Sequence, residues 1–538
     1  MKSLMSSAAI RLAFSRLALA LLGLAASASF AQPSPGAAPL TLGGVIRETL
    51  QGNRQIQITR QQVQSAEGQL QVARSVFDPT VNLSLGEQRN LTPLSDVSQA
   101  RLGRGQLRAE QLNLNASVRK QLRSGLVVQG FGELSHLRDE STLNFSSPGN
   151  AYASVGFSVD IPLGRGLGAA EVATGERIAE LSRSAAELDA GHQAALSTQQ
   201  AINLYWAVRA SERRLDLARQ IESRSQKLIA QLHRLIEKEQ VPAFELNLAR
   251  ANMADKVSLR AGAEQDLRTT RTQLGKLLGR EHTSTALLGS TADDFPPIGR
   301  APAPSGPGTA ALITQAQQQR LDLEAERLRR NSLAEAVTQA SERARPDITL
   351  SLGMRQRSLA SDSQRSALLQ SVSGNQAGPS ADITLQYRWP VGGRQAQGDI
   401  LDRNAQLDRQ VLRLQELDAG IGADVSDALQ VLGTSAELVR SADQSVEYYR
   451  AVVAAEQRRY TLGMATLKNV LETEDRLDAA LQRRITQRQD HARALTRLLF
   501  ETGELVVPET STPGGYRVAL ERLLGLSPVI VPPASSSP

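Results

Sequence analysis

The chain has 538 residues, no cysteine, 3% aromatic residues and a formal charge of +6. Without cysteine no disulfide can form, so packing or assembly must hold the fold together. The charge falls to +3 once the three basic residues of the N-terminal segment, Lys2, Arg11 and Arg16, are removed. A chain this close to neutral predicts no nucleic-acid partner.

Residues 1–31 have the pattern of a secretory signal peptide. The basic start is followed by the apolar run Leu17–Ala26 and the cleavage motif Ser29-Phe30-Ala31, with Ala26-Ser27-Ala28 as an alternative site. We therefore expect an exported protein. After residue 31 no segment reaches the ~20 consecutive apolar residues of a membrane helix. The mature chain is then either soluble or enters a membrane as β-strands.

The sequence contains an internal duplication. Two amphipathic segments end at Pro79 and at Pro346, and each is followed by an alternating stretch that ends in Leu-Ser-Leu-Gly. We place the first repeat at 32–294, a Pro-rich linker at 295–308 and the second repeat at 309–505. The remainder, 506–538, ends in a Pro- and Ser-rich stretch and is predicted to be a flexible periplasmic tail.

Each repeat contains a long segment without proline. The first predicts a helix from about residue 168 to 239, roughly 100 Å long, and the second a similar helix from about 396 to 462. Apolar residues recur at helical spacing, aromatic residues are few, and Ala, Leu, Gln, Arg and Glu are abundant. These features favour long coiled-coil helices, with an ordinary helical bundle as the alternative.

The strand signals lie within 80–161 and 347–389. Four segments alternate clearly between apolar and polar residues, and a weaker pair lies between 111 and 134. A half-buried soluble sheet or a transmembrane barrel would give this pattern, and the strand length and signal peptide favour the barrel. Four or six strands are too few to close one. Three subunits with four strands each would give 12, and the weaker pair would raise this to 18 or fold elsewhere.

Five motifs resemble those of the TolC-type outer-membrane efflux channel family. They are FDPTVNLSLG (77–86), RPDITLSLG (345–353), VDIPLGRG (159–166), RWPVGGR (388–394) and RRYTLGMATLKNVLETEDRL (458–477). The resemblance covers residues 40–505. It implies an internally duplicated α+β membrane protein, with a trimeric transmembrane β-barrel of 12 strands continued by a long periplasmic α-helical coiled-coil barrel.

The function implied by this resemblance is that of a passive channel in the cell outer membrane that extends into the periplasm. Such a channel belongs to a tripartite efflux or type I secretion system. Its partners would be two further copies, outer-membrane lipid, a periplasmic adaptor (membrane fusion) protein, and an inner-membrane pump or ABC exporter. From the residues alone, a soluble periplasmic coiled-coil scaffold is the alternative.

The resemblance also assigns roles at the two helical tips. The periplasmic entrance, or gate, would be formed by Glu245, Tyr460, Asn469 and Glu472. The tips that meet the adaptor would comprise Gln240, Val241, Pro242, Gly463, Met464, Ala465 and Thr466. Asn469 stands where an acidic residue is common, and Ala465 where a basic residue can occur. Glu472 is alternatively a solvated charge on a helix face.

The glycines after the strands predict bends from barrel to tunnel. The residues assigned to these bends are Pro162, Gly164, Gly166, Pro390, Gly392 and Gly393. The first group superficially matches a dinucleotide fingerprint, but its duplicate lacks the pattern. The five histidines show no metal-ligand spacing, and no nucleophile–histidine–acid set stands out. We therefore predict a non-enzyme without cofactor or metal.

Overall fold

The structure is a computed structural model. It describes residues 39–103, 105–139, 150–281, 288–299, 307–360, 364–373, 379–508 and 515–524. The predicted signal peptide and the end of the predicted tail lie outside these ranges.

Helices make up most of the described chain, and two of them are very long. In chain order they are α1 (Leu42–Gly52), α2 (Arg54–Arg74), α3 (Asp96–Leu102), α4 (Ala169–Val172), α5 (Thr174–Glu237), α6 (Phe244–Leu277), α7 (Pro307–Gln319), α8 (Leu321–Arg343), α9 (Gln364–Ser373), α10 (Arg394–Thr461), α11 (Leu467–Glu501) and α12 (Leu520–Leu523). Helices α5 and α10 contain 64 and 68 residues. They lie where the proline-free segments predicted them. No helix in the described ranges is both long and apolar enough to cross a membrane.

Six strands form one antiparallel sheet. They are β1 (Thr80–Pro93), β2 (Gln106–Gln121), β3 (Val127–Asp139), β4 (Asn150–Pro162), β5 (Asp347–Ala360) and β6 (Ser380–Arg388). The spatial order equals the chain order, β1-β2-β3-β4-β5-β6. The weak pair between 111 and 134 therefore belongs to the sheet as two full strands, β2 and β3. The sequence left open whether this pair adds strands or folds elsewhere, because its alternation is interrupted by glycine and charged residues; the structure places both segments in the sheet.

The register gives the sheet two different faces. Directly paired residues share a face, so Leu85 lies beside Leu114, and Val159 beside Leu352. The opposite face carries polar pairs such as Ser84 with Asn115. Alternation at a period of two thus separates a mainly apolar face from a polar face in the six strands, and the apolar face carries charged residues towards its ends, such as Arg89 with Glu110 and Lys120.

The duplication is visible in the order of elements. In each repeat two consecutive helices, α1 and α2 or α7 and α8, lead into a strand that begins at Thr80 or Asp347. The first break is capped by Asn53, whose side chain accepts hydrogen bonds from the backbone N–H groups of Gln55 and Ile56. The equivalent break in the second repeat falls at Arg320.

The chain divides into two compact units that do not coincide with the repeats. The first unit contains residues up to Glu48, Leu204–Phe295 and Val446–Gln489. The second contains Thr49–Asn203, Pro296–Ser445 and everything from Asp490 onwards. Each unit therefore takes segments from both halves of the sequence.

The core of the second unit lies among helices α7, α8, α10 and α11. Its fully or almost fully buried members include Leu312, Leu323, Ile421, Leu429 and Leu498. Short side chains, such as those of Ala316 and Ala428, lie between them and let the helices approach closely.

The first unit is anchored by two adjacent aromatic residues on α5. Tyr205 and Trp206 are both fully buried. The Tyr205 hydroxyl lies 2.8 Å from the Asp293 carboxylate and 3.1 Å from the carbonyl oxygen of Leu40. The Trp206 ring lies 5.7 Å from that of Phe295. The start of the predicted linker is thus packed against α5 and does not hang free.

The described part of the predicted tail forms secondary structure. Residues Val506–Pro508 (β7) and Tyr516–Val518 (β8) pair as a small antiparallel sheet, and Leu523 of α12 is buried. The prediction of a flexible extension from residue 506 is therefore wrong for these segments. The prediction extended the Pro- and Ser-rich composition of the last residues to the whole tail, although only those last residues have it.

Candidate functional site

The second helical tip is closed by a glycine in the left-handed conformation. Helix α10 ends at Thr461, and Gly463 has φ 72°. The backbone N–H of Gly463 donates to the carbonyl of Tyr460 at 3.0 Å, and that of Met464 donates to the carbonyl of Arg459 at 2.8 Å. This pair of bonds is the Schellman arrangement, which ends a helix by satisfying its last carbonyl groups.

The first tip has the same geometry without glycine. Helix α5 ends at Glu237, and Glu239 has φ 57°. Its N–H donates to Ile236 at 2.9 Å, and the N–H of Gln240 donates to Leu235 at 2.9 Å. The sequence placed this turn at Glu239–Ala243 but did not predict the left-handed conformation of Glu239, because no residue type there signals a positive φ.

An exchange at these two positions tests the shared geometry. Glu239→Gly should stabilise the first unit by roughly 1 kcal/mol, because glycine adopts the left-handed conformation without the steric penalty of a Cβ atom. Gly463→Ala should destabilise it by a similar amount. Thermal unfolding of both variants measures the effect, with exposed Gly262→Ala in mid-helix as the control that should be neutral or stabilising. Equal shifts at both tips in the same direction would contradict the interpretation.

The return helix α11 begins as the sequence predicted. The Thr466 hydroxyl lies 3.4 Å from the backbone nitrogen of Asn469 and accepts its hydrogen bond. Leu467, the next residue, is buried at 1% exposure. The cap and the buried leucine together fix where the chain turns back.

The two tips are joined through Tyr460 and Glu245. The Tyr460 hydroxyl donates to Glu245 Oε2 at 3.0 Å. Around this bond the buried residues Leu232, Ala249, Leu467 and Leu471 form one apolar cluster. Burial, together with the negative charge of Glu245, raises the pKa of Tyr460 to about 12. The phenol therefore stays protonated and able to donate throughout the neutral range.

The other two predicted gate residues lie apart from this contact. Asn469 and Glu472 are exposed on α11, and Glu472 Oε1 lies 3.7 Å from Lys468 Nζ. An exposed pair one helical turn apart contributes little to stability. The lysine does, however, offset part of the negative charge that Glu472 would bring to an entrance.

Apolar side chains project from the turns. Leu462 and Met464 at the second tip and Phe244 at the first are each about seven-tenths exposed. Sequence analysis placed Met464 in this surface and missed Leu462 and Phe244. Exposed large apolar residues grouped on one turn are typical of contact surfaces.

An ionic network that sequence reasoning missed ties the helices together near the tips. Asp478, only 7% exposed in its side chain, is paired with Arg224, and its second oxygen lies 3.7 Å from Lys256 Nζ. Lys256 also pairs with Asp475. These residues come from α5, α6 and α11, so no local spacing in the sequence could have revealed the network.

The predicted bends follow strands β4 and β6. Gly166, Gly392 and Gly393 have positive φ angles. At Gly164 a Cβ atom would lie 2.5 Å from the carbonyl oxygen of Pro346, so only glycine fits against that backbone. Pro162 is the last residue of β4, and Pro390 lies two residues after the end of β6. The chain thereby passes from a strand to a helix within a few residues. Among the described strands, none follows in parallel as a nucleotide-binding fold would require.

The sequence and the fold were compared with those of known proteins. Residues 312–504 match the family described as outer membrane efflux protein. No curated protein matches the chain.

Three solved structures with the same fold are outer-membrane proteins of bacteria. The CmeC outer membrane channel of Campylobacter jejuni is 15% identical with a TM-score of 0.63, and the alignment covers 86% of this chain and 85% of CmeC. The outer membrane protein VceC of Vibrio cholerae is 15% identical at 0.61, covering 86% and 96%. The MtrE outer membrane channel of Neisseria gonorrhoeae is 13% identical at 0.58, covering 86% and 88%.

The family match lies in the second repeat, and the similarity of fold extends over both repeats. The duplicated order of helices and strands agrees with both findings. Residues 312–504 thus match the outer membrane efflux protein family, and the fold of the solved outer-membrane channels is shared over 86% of the chain.

Proposed function

We propose that this protein is a passive outer-membrane channel made of three copies of the chain, which conducts substrates from the cell to the exterior. The observation that carries the proposal is the sheet, which has one apolar face, one polar face and two open edges. An apolar face of this kind suits lipid, and a polar face suits a water-filled lumen. Open edges cannot remain in lipid, so further copies must cover them.

The helical tips are the part of the channel that meets its periplasmic partner. Leu462, Met464 and Phe244 provide an exposed apolar surface beside the polar residues Gln240 and Thr466. A periplasmic adaptor protein would bind there and connect the channel to an inner-membrane pump or ABC exporter. The system is then a tripartite efflux or type I secretion system, and its pump selects the substrate.

The gate of this channel is the contact between the two tips of each subunit. Tyr460 and Glu245 hold α10 against α6 through one hydrogen bond, and the surrounding apolar cluster is small. Breaking that bond would release the hairpins from each other near the mouth. Asn469 and Glu472, which are exposed on the return helix, would line the entrance.

The acidic residues of the mouth should make the channel prefer cations. Glu472→Ala should lower cation selectivity, because a repeated carboxylate raises the local cation concentration. Lys468→Ala should raise it, since the lysine that offsets Glu472 is removed. Reversal potentials under a KCl gradient measure both changes, and Glu245→Ala should act in the same direction as Glu472→Ala. Identical reversal potentials in all variants would rule out this role.

Cell fractionation and detergent extraction test the proposal as a whole. The protein should remain in the outer membrane until detergent releases it, and it should then migrate as a trimer on native gels. A monomer recovered from the periplasm without detergent would instead identify a soluble coiled-coil scaffold. A membrane-bound monomer would also overturn the proposal, because a single sheet with open edges cannot close a pore.

A further inference from the structure

The hairpin of β2 and β3 is an integral part of the sheet. Strand β2 pairs with β1 over all of Thr80–Pro93 and with β3 from Ala109 to Gln121. Strand β3 in turn pairs with β4 from Val127 to Leu137. Removing the hairpin would leave β1 without its partner and β4 paired with β5 alone. The hairpin is therefore part of the sheet itself. It lies between β1 and β4, which would be neighbours if each chain contributed only four strands.

The hairpin continues both faces of the sheet. On the apolar face, Leu114 lies between Leu85 of β1 and Leu134 of β3. On the polar face, Asn115 lies between Ser84 and Glu133. A hairpin that folded outside the membrane would not need one apolar and one polar face.

Helix α9 identifies the apolar face as the outer one. It packs on that face through Ala367, which lies with Ala151, Ala153 and Ala360 in one buried cluster. The side of α9 that points away from the sheet exposes Leu368, Leu369 and Val372. Apolar residues on the far side of a helix that covers an apolar sheet face suit lipid and not a lumen.

The two edge strands are both uncovered and can be paired with each other. Strands β1 and β6 are exposed along their whole length. Because the number of strands is even and all neighbours are antiparallel, β6 of one copy runs antiparallel to β1 of the next. If the sheet is repeated around an axis, every strand of the resulting barrel is therefore antiparallel to both of its neighbours.

We infer that three copies close edge to edge, β6 on β1, into a barrel of 18 strands. This rests on the proposed function, which supplies the trimer and the membrane. Strands about 4.8 Å apart and tilted by about 40° give a backbone diameter of roughly 36 Å, against roughly 24 Å for 12 strands. The outer-membrane section is thus as wide as that of the porins, which hold an aqueous channel.

The polar face gives this barrel a largely uncharged lining. Most of its side chains are amides and hydroxyls, for example Asn82, Asn113, Gln129 and Ser158. Among the side chains that the structure describes on this face, four are basic and four acidic, namely Arg119, Arg355, Arg357 and Arg388 against Glu133, Asp160, Asp347 and Asp382. The barrel therefore selects neither by size nor by charge, and it suits bulky hydrated cargo of either sign.

Pairs of cysteines test the strand order, because the chain has no cysteine of its own. Leu85→Cys with Leu114→Cys should form a disulfide on oxidation of isolated outer membranes, and so should Val128→Cys with Val159→Cys, since each pair lies directly opposite in the sheet. The matched control is Leu85→Cys with Asn113→Cys, whose side chains lie on opposite faces and should not react.

The seam, where β6 of one copy would pair with β1 of the next, is tested in the same membranes. Ile383→Cys in β6, combined in turn with Val81→Cys, Leu83→Cys or Leu85→Cys in β1, should give covalent dimers and trimers on non-reducing gels. Leu83→Cys combined with Val155→Cys or Phe157→Cys in β4 should give no disulfide within one chain. Electron microscopy of the purified trimer should show a barrel about 36 Å wide.

The outcomes separate this inference from the proposed function. Disulfides between β1 and β4, with a membrane trimer about 24 Å wide, would overturn the barrel of 18 strands and leave the channel in place. A soluble monomer without products at the seam would overturn both. Seam products together with the β1–β2 and β3–β4 disulfides would support the barrel of 18 strands.

Discussion

Replacement of Tyr460 by phenylalanine should open the periplasmic mouth and leave the helical hairpins folded. The hydroxyl makes a single bond, to Glu245 Oε2 at 3.0 Å, and the ring keeps its place beside the apolar cluster. A hydrogen bond to a carboxylate contributes about 1.5 kcal/mol or more. Three copies that open together would lose about 4.5 kcal/mol, a roughly thousandfold shift toward the open state.

Single-channel recording measures this effect as a rise in conductance and in the fraction of time spent open. Glu245→Gln should have a smaller effect in the same direction, because the amide oxygen still accepts the bond but carries no charge. The control is Tyr448→Phe, since Tyr448 is 71% exposed on the same helix. Equal conductance in the wild type and in Tyr460→Phe would remove Tyr460 from the gate.

The pH dependence of the wild type gives an independent check on the same bond. Once the mouth opens, the phenol is solvated and ionises near pH 10, whereas in the closed state its pKa is raised to about 12. The bond therefore stabilises the closed state fully below pH 10, and this contribution is lost as the pH rises toward 12. The rise in conductance over that interval should be absent in Tyr460→Phe.

Truncation of Trp206 to alanine should have the largest effect on stability. The indole is fully buried, with its ring 5.1 Å from Tyr205 and 5.7 Å from Phe295. Loss of a buried tryptophan leaves a cavity and costs about 3–5 kcal/mol. The segment Asp293–Phe295 should then detach from α5, because the ring against which it packs is gone.

Thermal unfolding and limited proteolysis measure these two consequences. Trp206→Phe is the matched variant, and it should cost much less. It keeps an aromatic ring, and it removes an indole N–H that is buried without a hydrogen-bond partner among the described residues. A loss of stability in Trp206→Phe as large as in Trp206→Ala would show that ring packing is not the source of the effect.

The features that repeat in the sequence were predictable from it. The long helices α5 and α10 follow from the absence of proline, and the turn at Gly463 follows from a glycine between helical segments. The separation of apolar and polar residues follows from alternation in β1, β4, β5 and β6. Each of these signals is local, so a single chain can display it.

The features that depend on register or on distant partners were not predictable. Strands β2 and β3 alternate less clearly, and only their pairing with β1 and β4 identifies them as part of the sheet. The left-handed Glu239 has no residue-type signal, and the pairing of Arg224 with Asp478 joins residues 254 positions apart. The resemblance named Tyr460 and Glu245 as gate residues, but it did not predict the hydrogen bond between them.

Planar-bilayer recording of the detergent-extracted trimer tests the central claim most directly. We predict small, cation-selective conductances in the wild type, because the closed tips limit the current, and much larger ones in Tyr460→Phe, because that restriction is removed. A trimer that never conducts, in the wild type or in Tyr460→Phe, would contradict the claim that this protein is a channel.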